Sequence, residues 1–179
     1  MAIVPDTKDW TWVLQRPCPE CGFDTSSFPR EQIGALLRAN AAAWTGVLTG
    51  EAVAVRPDPQ TWSALEYGCH VRDVFRLYDH RLQLMLSQDD PLYENWDQDE
   101  TAIAERYGEQ DPAEVAPQLL RAAATLADRF DGLRAEQWLR PGRRSDGAAF
   151  TVETFGRYFI HDPVQHLYDV TGVRYRTAG

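Results

Sequence analysis

Residues 62–85 read WSALEYGCHVRDVFRLYDHRLQLM, and this stretch predicts a long helix with one buried face. Its bulky apolar residues recur every three or four positions, the spacing that places side chains on one side of an α-helix. Ser63 and Glu66 have the spacing of a capping box, in which each side chain accepts a hydrogen bond from a backbone N–H of the first turn. We therefore expect a helix from about Trp62 to Ser87.

Three further segments have the same helical periodicity. We expect them to run from about Pro29 to Thr49, from Asp111 to about Leu133, and from about Thr151 to Val170. The clearest start signal is Asp111, followed by Pro112 at the first helical position. Since no segment alternates convincingly as a strand would, the chain is predicted to be an all-α four-helix bundle.

The connections between these helices are unequal in length. Residues 88–110, between the second and third helices, form a long connection with helical character around 100–107, and a connection of this length is usually functional or caps one end of the core. Its length suggests a departure from simple up-down-up-down order. Prolines interrupt any periodicity before the first helix, so we divide the chain into an irregular segment, residues 1–28, and a bundle, residues 29–172.

Composition limits the classes of function. The chain has 179 residues, enough for one domain with a sizeable core, and a net charge of −9 that disfavours binding to nucleic acid. No apolar run approaches the roughly 20 residues needed to span a bilayer, and residues 1–12 lack a signal-peptide core. Three cysteines are too few for a disulfide framework. We expect a cytoplasmic protein that acts on a small molecule, while the sequence leaves a homodimer open.

Only four histidines are present, and three of them are candidates for a functional site. His70 borders the buried face of the second helix, where Glu66 and Asp73 lie within reach as orienting acceptors or as members of an exposed charge pair. His161 and His166 are five residues apart on the last helix, so an ideal helix points them about 140° from each other. On spacing alone, core or surface roles fit these histidines better than metal binding does.

Three motifs together resemble a known family. They are residues 62–74, residues 95–99 with the sequence NWDQD, and residues 161–169 with the sequence HDPVQHLYD. The chain is similar over residues 10–172 to an actinobacterial branch of the DinB-like superfamily. That superfamily includes thiol S-transferases that use bacillithiol and the metal-binding domain of mycothiol-dependent maleylpyruvate isomerase.

The resemblance implies a bundle with a divalent metal, zinc or nickel, at one end. In such proteins one histidine comes from the second helix and two, four residues apart, come from the fourth. His70 and His161 match the first two positions, while the third falls on Gln165. A glutamine oxygen is a weaker ligand than imidazole for these metals. Two alternatives to Gln165 as the third ligand remain. Pro163 distorts the helix so that His166 enters the site, or the site has lost its metal.

An ion at this site would leave open positions for water or a thiolate substrate. The pKa of a bound thiol would fall, and Asp73, Asp97 or Asp99 could then act as a general base or hydrogen-bond to the ligands. For Asp97 and Asp99, an acidic solvated loop is the competing interpretation. The resemblance therefore implies a metal-dependent enzyme, a thiol transferase using a low-molecular-weight thiol or a hydrolase. The alternative is a binding or interaction module that has lost the ion, which Gln165 favours.

Residues 18–22, CPECG, form a separate motif that we call the cysteine turn. Two cysteines in such a tight turn direct two thiolates at one ion, as in small zinc sites, but supply only half of a tetrahedral site. The sequence assigns no further ligands to Cys18 and Cys21. A structural zinc, two free thiols and a labile disulfide all remain open.

Overall fold

A computed structural model describes residues 9–176 of the chain. Residues 1–8 lie outside the described residues, as do residues 177–179. The first stretch belongs to the predicted irregular segment and to residues 1–12, where no signal-peptide core is expected. The helices, in chain order, are α1 (Ile33–Leu48), α2 (Ala64–Ser87), α3 (Gln98–Ala104), α4 (Pro112–Asp131) and α5 (Val152–Thr171). Four of them are long and form the predicted four-helix bundle. The remaining helix, the short α3, lies within the long connection between α2 and α4.

Local capping chemistry sets the starts of α2 and α4 and the end of α5, whereas α1 begins at Ile33, after a 3₁₀ turn at Arg30–Gln32 and later than the predicted Pro29. At the start of α2, the Glu66 backbone N–H donates to Ser63 Oγ at 3.2 Å, and the Ser63 N–H donates to Glu66 Oε2 at 2.8 Å, which confirms the capping box. At the start of α4, Asp111 accepts from the Ala113 N–H at 2.9 Å. Gly172 ends α5 with φ of +68°, a backbone conformation that glycine adopts without steric cost.

The helices are not arranged as a ring of neighbours in chain order. Both α4 and α5 pack against α1 and α2, whereas α1 and α2 contact each other less. The first connection therefore joins two helices, α1 and α2, that lie diagonally opposite each other in the bundle. This arrangement agrees with the predicted departure from simple up-down-up-down order. Stacked aromatic rings fill the centre, including Tyr78 against Phe159, with ring centroids 4.6 Å apart.

A small sheet supplements the bundle. Its strands are β1 (Leu92–Tyr93), β2 (Pro141–Arg144) and β3 (Ala149–Thr151), with β1 parallel and β3 antiparallel to β2. The all-α prediction did not include this sheet, because strands of two to four residues are too short for alternation to be recognised. The sheet holds the long connection beside the β2–β3 hairpin and so shapes one end of the bundle.

The described part of the N-terminal segment packs on the helices. Val13 is buried, and Phe23 and Phe28 are buried in the same core cluster as the bundle residues. The Tyr175 N–H donates to the Cys21 carbonyl at 2.8 Å, which joins the cysteine turn to the chain after α5. Among residues 9–176, no helix combines the length and apolar character required to cross a membrane.

Candidate metal centre

A cleft of about 780 Å³ lies beside α2 and α5, where the β2–β3 hairpin and the N-terminal segment meet. One wall comes from α2 and α5, and the other from residues 95–99 and the β2–β3 hairpin. The cleft is therefore built from segments that are distant in the chain. His70 of α2 and three consecutive turns of α5, at Tyr158, Asp162 and His166, line it.

Three potential metal ligands converge in this cleft: His70, Asp162 and His166. One atom from each lies within 4.8 Å of the others. His70 Nε2 is 3.4 Å from Asp162 Oδ1, and His166 Nε2 is 3.7 Å from Asp162 Oδ2. Asp162 and His166 are four residues apart, so they share the face of α5 that is directed at α2.

The geometry of this triad fits a shared ion better than it fits direct hydrogen bonds. Ordinary N–H···O bonds are about 2.7–3.2 Å long, shorter than either separation. Two ligands bound to one tetrahedral ion at about 2.1 Å lie about 3.4 Å apart. In addition, Asp162 Oδ1 and His70 Nδ1 are buried without a hydrogen-bond partner among the residues that the structure describes. The donor set of two imidazoles and one carboxylate therefore fits a divalent metal.

The charges in the triad favour metal binding as well. Burial raises the pKa of the Asp162 carboxyl, but His70 and His166 outweigh this and lower it to about 2, so the carboxylate is ionised at neutral pH. His166 Nδ1 lies 2.9 Å from Asp169 Oδ2. A carboxylate that accepts from one imidazole nitrogen fixes the orientation of the ring and raises the basicity of the other nitrogen.

Aromatic side chains enclose His70. The Trp96 ring stacks on the imidazole, with centroids 5.4 Å apart and an angle of 14°, and Trp62 lies at the same distance on another side. The predicted NWDQD motif of the long connection therefore reaches the candidate centre through its tryptophan. His70 is fully buried, and its ring orientation is fixed by packing.

His161 and Gln165, which the family resemblance implied beside His70, belong to a second cluster. A ring nitrogen of His161 lies within 4.8 Å of the sulfurs of Cys18 and Cys21. Gln165 Oε1 accepts from Cys18 Sγ at 3.3 Å, and all three cysteines of the described residues are free thiols. Burial lowers the pKa of His161 to about 4, so its imidazole is neutral at physiological pH.

The four acidic candidates do not all lie in the cleft. Glu66 accepts from Arg56 and Ser63, and Asp73 accepts from Arg72, Arg76 and Tyr107; neither makes a hydrogen bond with His70. Asp97 and Asp99 do line the cleft. Asp97 Oδ1 also caps α3 by accepting from the N–H groups of Asp99 and Glu100, both at 2.9 Å.

Sequence reasoning missed Asp162 as a candidate ligand. The signal was present: Asp162 and His166 have the four-residue spacing that the family pattern requires, one position beyond His161 and Gln165. It also missed Asp169, Trp62 and Trp96 as neighbours of the histidines. Nothing local in the sequence places those tryptophans against His70, since the two rings come from different connections.

Comparisons with known proteins agree with this architecture. The DinB superfamily model matches residues 35–170. Among solved structures, the chain is similar to YfiT from Bacillus subtilis, a probable metal-dependent hydrolase with an unusual four-helix bundle topology. The TM-score is 0.71 at 16% identity, over 80% of this chain and 84% of YfiT, a likeness of fold. No curated protein matches. Because the family match spans most of the chain and the bundle has the same fold as YfiT, the chain belongs to the DinB superfamily.

Proposed function

We propose that this chain is a metal-dependent enzyme that holds a divalent ion, zinc or nickel, between His70, Asp162 and His166. The observation that carries this proposal is the convergence of their ligand atoms within 4.8 Å at the floor of a large cleft. Two imidazoles and one carboxylate are ligands that zinc and nickel accept. Three protein ligands leave coordination positions open for a small molecule.

The residues around the triad have distinct roles in this proposal. When bound, the ion would lower the pKa of a thiol or water and so supply a nucleophile at neutral pH. Asp169 orients His166, while Trp96 covers His70 and excludes water from one side of it. Asp97 and Asp99, both on the cleft wall, are the carboxylates that would accept the proton that the nucleophile loses.

Two reaction classes share this chemistry. The resemblance to thiol S-transferases favours attack by the sulfur of a low-molecular-weight thiol, such as mycothiol, on an electrophilic carbon. The similarity of fold to YfiT, a probable metal-dependent hydrolase, favours attack by water. We propose thiol transfer as the reaction and hydrolysis as the second candidate, because an open coordination position serves either nucleophile.

A binding module without an ion is the competing hypothesis. Its support in the sequence was Gln165, a weak ligand at an expected histidine position. Gln165 is engaged by Cys18, Glu20 and Asp169, so its identity does not argue against an ion at His70. The metal-dependent hypothesis is therefore the stronger one.

Metal content and activity together test the proposal. We expect the purified protein, loaded with Zn²⁺ or Ni²⁺, to conjugate mycothiol to an electrophile, and chelation to abolish that activity reversibly. His70→Ala and Asp162→Ala should each lower the affinity for the ion at least about 10-fold and lower activity with it. Parallel assays with ester and amide substrates distinguish hydrolysis from thiol transfer.

His80→Ala is the matched control, because His80 lies on the same helix as His70 but is exposed and outside the cleft. This variant should keep the metal affinity and activity of the unmodified protein. Equal ion binding by His70→Ala, Asp162→Ala and the unmodified protein would contradict the proposed ligands. Absence of ion binding by the unmodified protein, together with absence of activity in every assay, would support the binding module that has lost the ion.

A further inference from the structure

The second cluster, formed by Cys18, Cys21 and His161, lies outside the triad. All three side chains are at least 96% buried, and one ligand atom from each lies within 4.8 Å of the others. The cysteine turn comes from the N-terminal segment and His161 from α5, so the cluster joins parts of the chain that are 140 residues apart. The fold alone does not require two thiols and an imidazole at that contact.

The backbone of the cysteine turn directs both sulfurs to the same side. The Gly22 N–H donates to the Cys18 carbonyl at 3.0 Å, and the Cys18 N–H donates to the Phe23 carbonyl at 2.9 Å. Gly22 has φ of +79°, in the left-handed region that favours glycine. A closed turn of this kind presents two thiolates to one ion.

An unsatisfied group points to a missing ligand. His161 Nε2 is buried and has no hydrogen-bond partner among residues 9–176. A buried imidazole nitrogen without a partner is costly, and binding to a cation removes that cost. Trp10 holds the ring in place, with centroids 5.7 Å apart.

Gln165 supplies a fourth candidate metal ligand, on the same face of α5 as His161. Its Nε2 donates to Glu20 Oε2 at 2.8 Å and to Asp169 Oδ1 at 2.9 Å. Because carboxylates accept only from the amide nitrogen, these two bonds fix the amide so that Oε1 faces Cys18 Sγ, 3.3 Å away. A sulfur and an oxygen on one tetrahedral zinc ion are separated by a similar distance, about 3.6 Å.

We propose that Cys18, Cys21 and His161 bind a structural zinc ion, with the Gln165 carbonyl oxygen as the fourth ligand. Zinc binding releases the two thiol protons to solvent, and the ion fixes the N-terminal segment to α5. Asp169 connects the two centres, since one of its oxygens accepts from Gln165 and the other contacts His166. This zinc site shares no ligand with the ion proposed for catalysis.

X-ray absorption at the zinc edge of the purified, unmodified protein tests this proposal, since only this site offers sulfur ligands. We expect a sulfur shell at about 2.3 Å. The double variant C18S/C21S should lose at least 90% of the sulfur shell. Two controls should retain the shell: Cys69→Ser, which alters the third buried cysteine, and His70→Ala. In the Co²⁺-loaded unmodified protein, a thiolate-to-cobalt charge-transfer band should appear, so the proposal remains testable if C18S/C21S does not fold.

Zinc bound only by nitrogen and oxygen in the unmodified protein would overturn the proposal. So would a sulfur shell that survives in C18S/C21S. If His70→Ala loses the catalytic ion but keeps the sulfur shell, the two ions occupy separate sites. Failure of either proposal can therefore be recognised without the other.

Discussion

At the scale of single residues, Asp73 is part of a buried charge network. Arg72 donates to both of its oxygens at 2.9 Å, and Tyr107 donates to Oδ2 at 2.7 Å. Arg72 is only 4% exposed, so without Asp73 its charge loses its main counter-ion in a place that water reaches poorly. Asp73 therefore holds the segment after α3 against α2.

We expect Asp73→Asn to lower the free energy of unfolding by about 2–3 kcal/mol at neutral pH and to leave the metal content unchanged. Urea unfolding and elemental analysis check the two parts. Asp89→Asn, at a fully exposed carboxylate, is the control and should change stability by less than about 0.5 kcal/mol. Loss of the ion in a folded Asp73→Asn protein would assign this carboxylate to the metal centre instead.

The same carboxylate predicts a dependence on pH. Burial raises the pKa of Asp73, but hydrogen bonds from Arg72 and Tyr107 outweigh it, and the pKa lies below its ordinary value of 3.8. Its stabilising contribution is therefore complete above pH 3.8 and is lost as the pH falls below that value. Asp73→Asn lacks this contribution, so its stability should decline less steeply with acid than that of the unmodified protein.

The candidate ligands show how far residue-level reasoning extends. Helical geometry alone predicts that His161 and His166 point in different directions, and in the structure they contact different clusters. Sequence reasoning favoured His161 as the start of the four-residue spacing, although the same spacing starts at Asp162. Periodicity could not distinguish these two registers, because Pro163 is accommodated within a continuous α5, whose His161 side is buried and whose Asp162 side is partly buried.

At the scale of elements, the close approach of α5 to Ile33 of α1 and Phe130 of α4 depends on Gly156. A Cβ atom there would lie 2.8 Å from Ile33 Cδ1 and 2.9 Å from Phe130 Cε1, closer than packed carbon atoms approach. Both neighbours lie in the core, where added volume forces side chains out of their preferred rotamers. Gly46 on α1 has nothing within 4 Å of the corresponding position and is exposed.

Gly156→Val and Gly46→Val therefore form a matched pair. Both make the same change in helix propensity, so the difference between them isolates packing. We expect Gly156→Val to lower the unfolding free energy by about 2 kcal/mol relative to Gly46→Val. Thermal unfolding followed by circular dichroism measures that difference. Equal stabilities of the two variants would show that a side chain at position 156 is accommodated without loss of packing.

The elements differ in how well the sequence specifies them. Local signals at Ser63, Asp111 and Gly172 fixed three helix boundaries, because capping involves only residues within one turn. Strand β1 has two residues and pairs with β2 about 50 residues later, so no local pattern specifies it. Short strands of this kind form only when the tertiary structure brings their backbones together.

At the scale of the whole molecule, the cleft depends on segments that the sequence treats as separate. The long connection was expected to be functional or to cap the core, and it lines the cleft next to the hairpin. The N-terminal segment lines it as well through Trp10, and its contact with α5 joins residues far apart in the chain. Such long-range contacts are determined by packing and leave no periodic signal in the sequence.

The same packing predicts that the N-terminal segment and the bundle unfold as one cooperative unit. Phe23 is 1% exposed, and its ring lies 5.2 Å from Phe28 and 4.6 Å from Tyr175. Removing a buried phenylalanine side chain typically costs about 3–5 kcal/mol. Since the described part of the segment contains no α-helix, circular dichroism of the helices reports on the bundle alone.

We therefore expect Phe23→Ala to lower the urea midpoint of the helical signal by an amount equivalent to about 3 kcal/mol. Val55→Ala, at a side chain that is 67% exposed in the connection after α1, should leave that midpoint unchanged. If the segment were an independent appendage, its loss of packing would not reach the helices, and the two variants would unfold together. A shift confined to Phe23→Ala would mean that the bundle depends on the segment for its stability, and thus that the walls of the cleft form only in the folded whole.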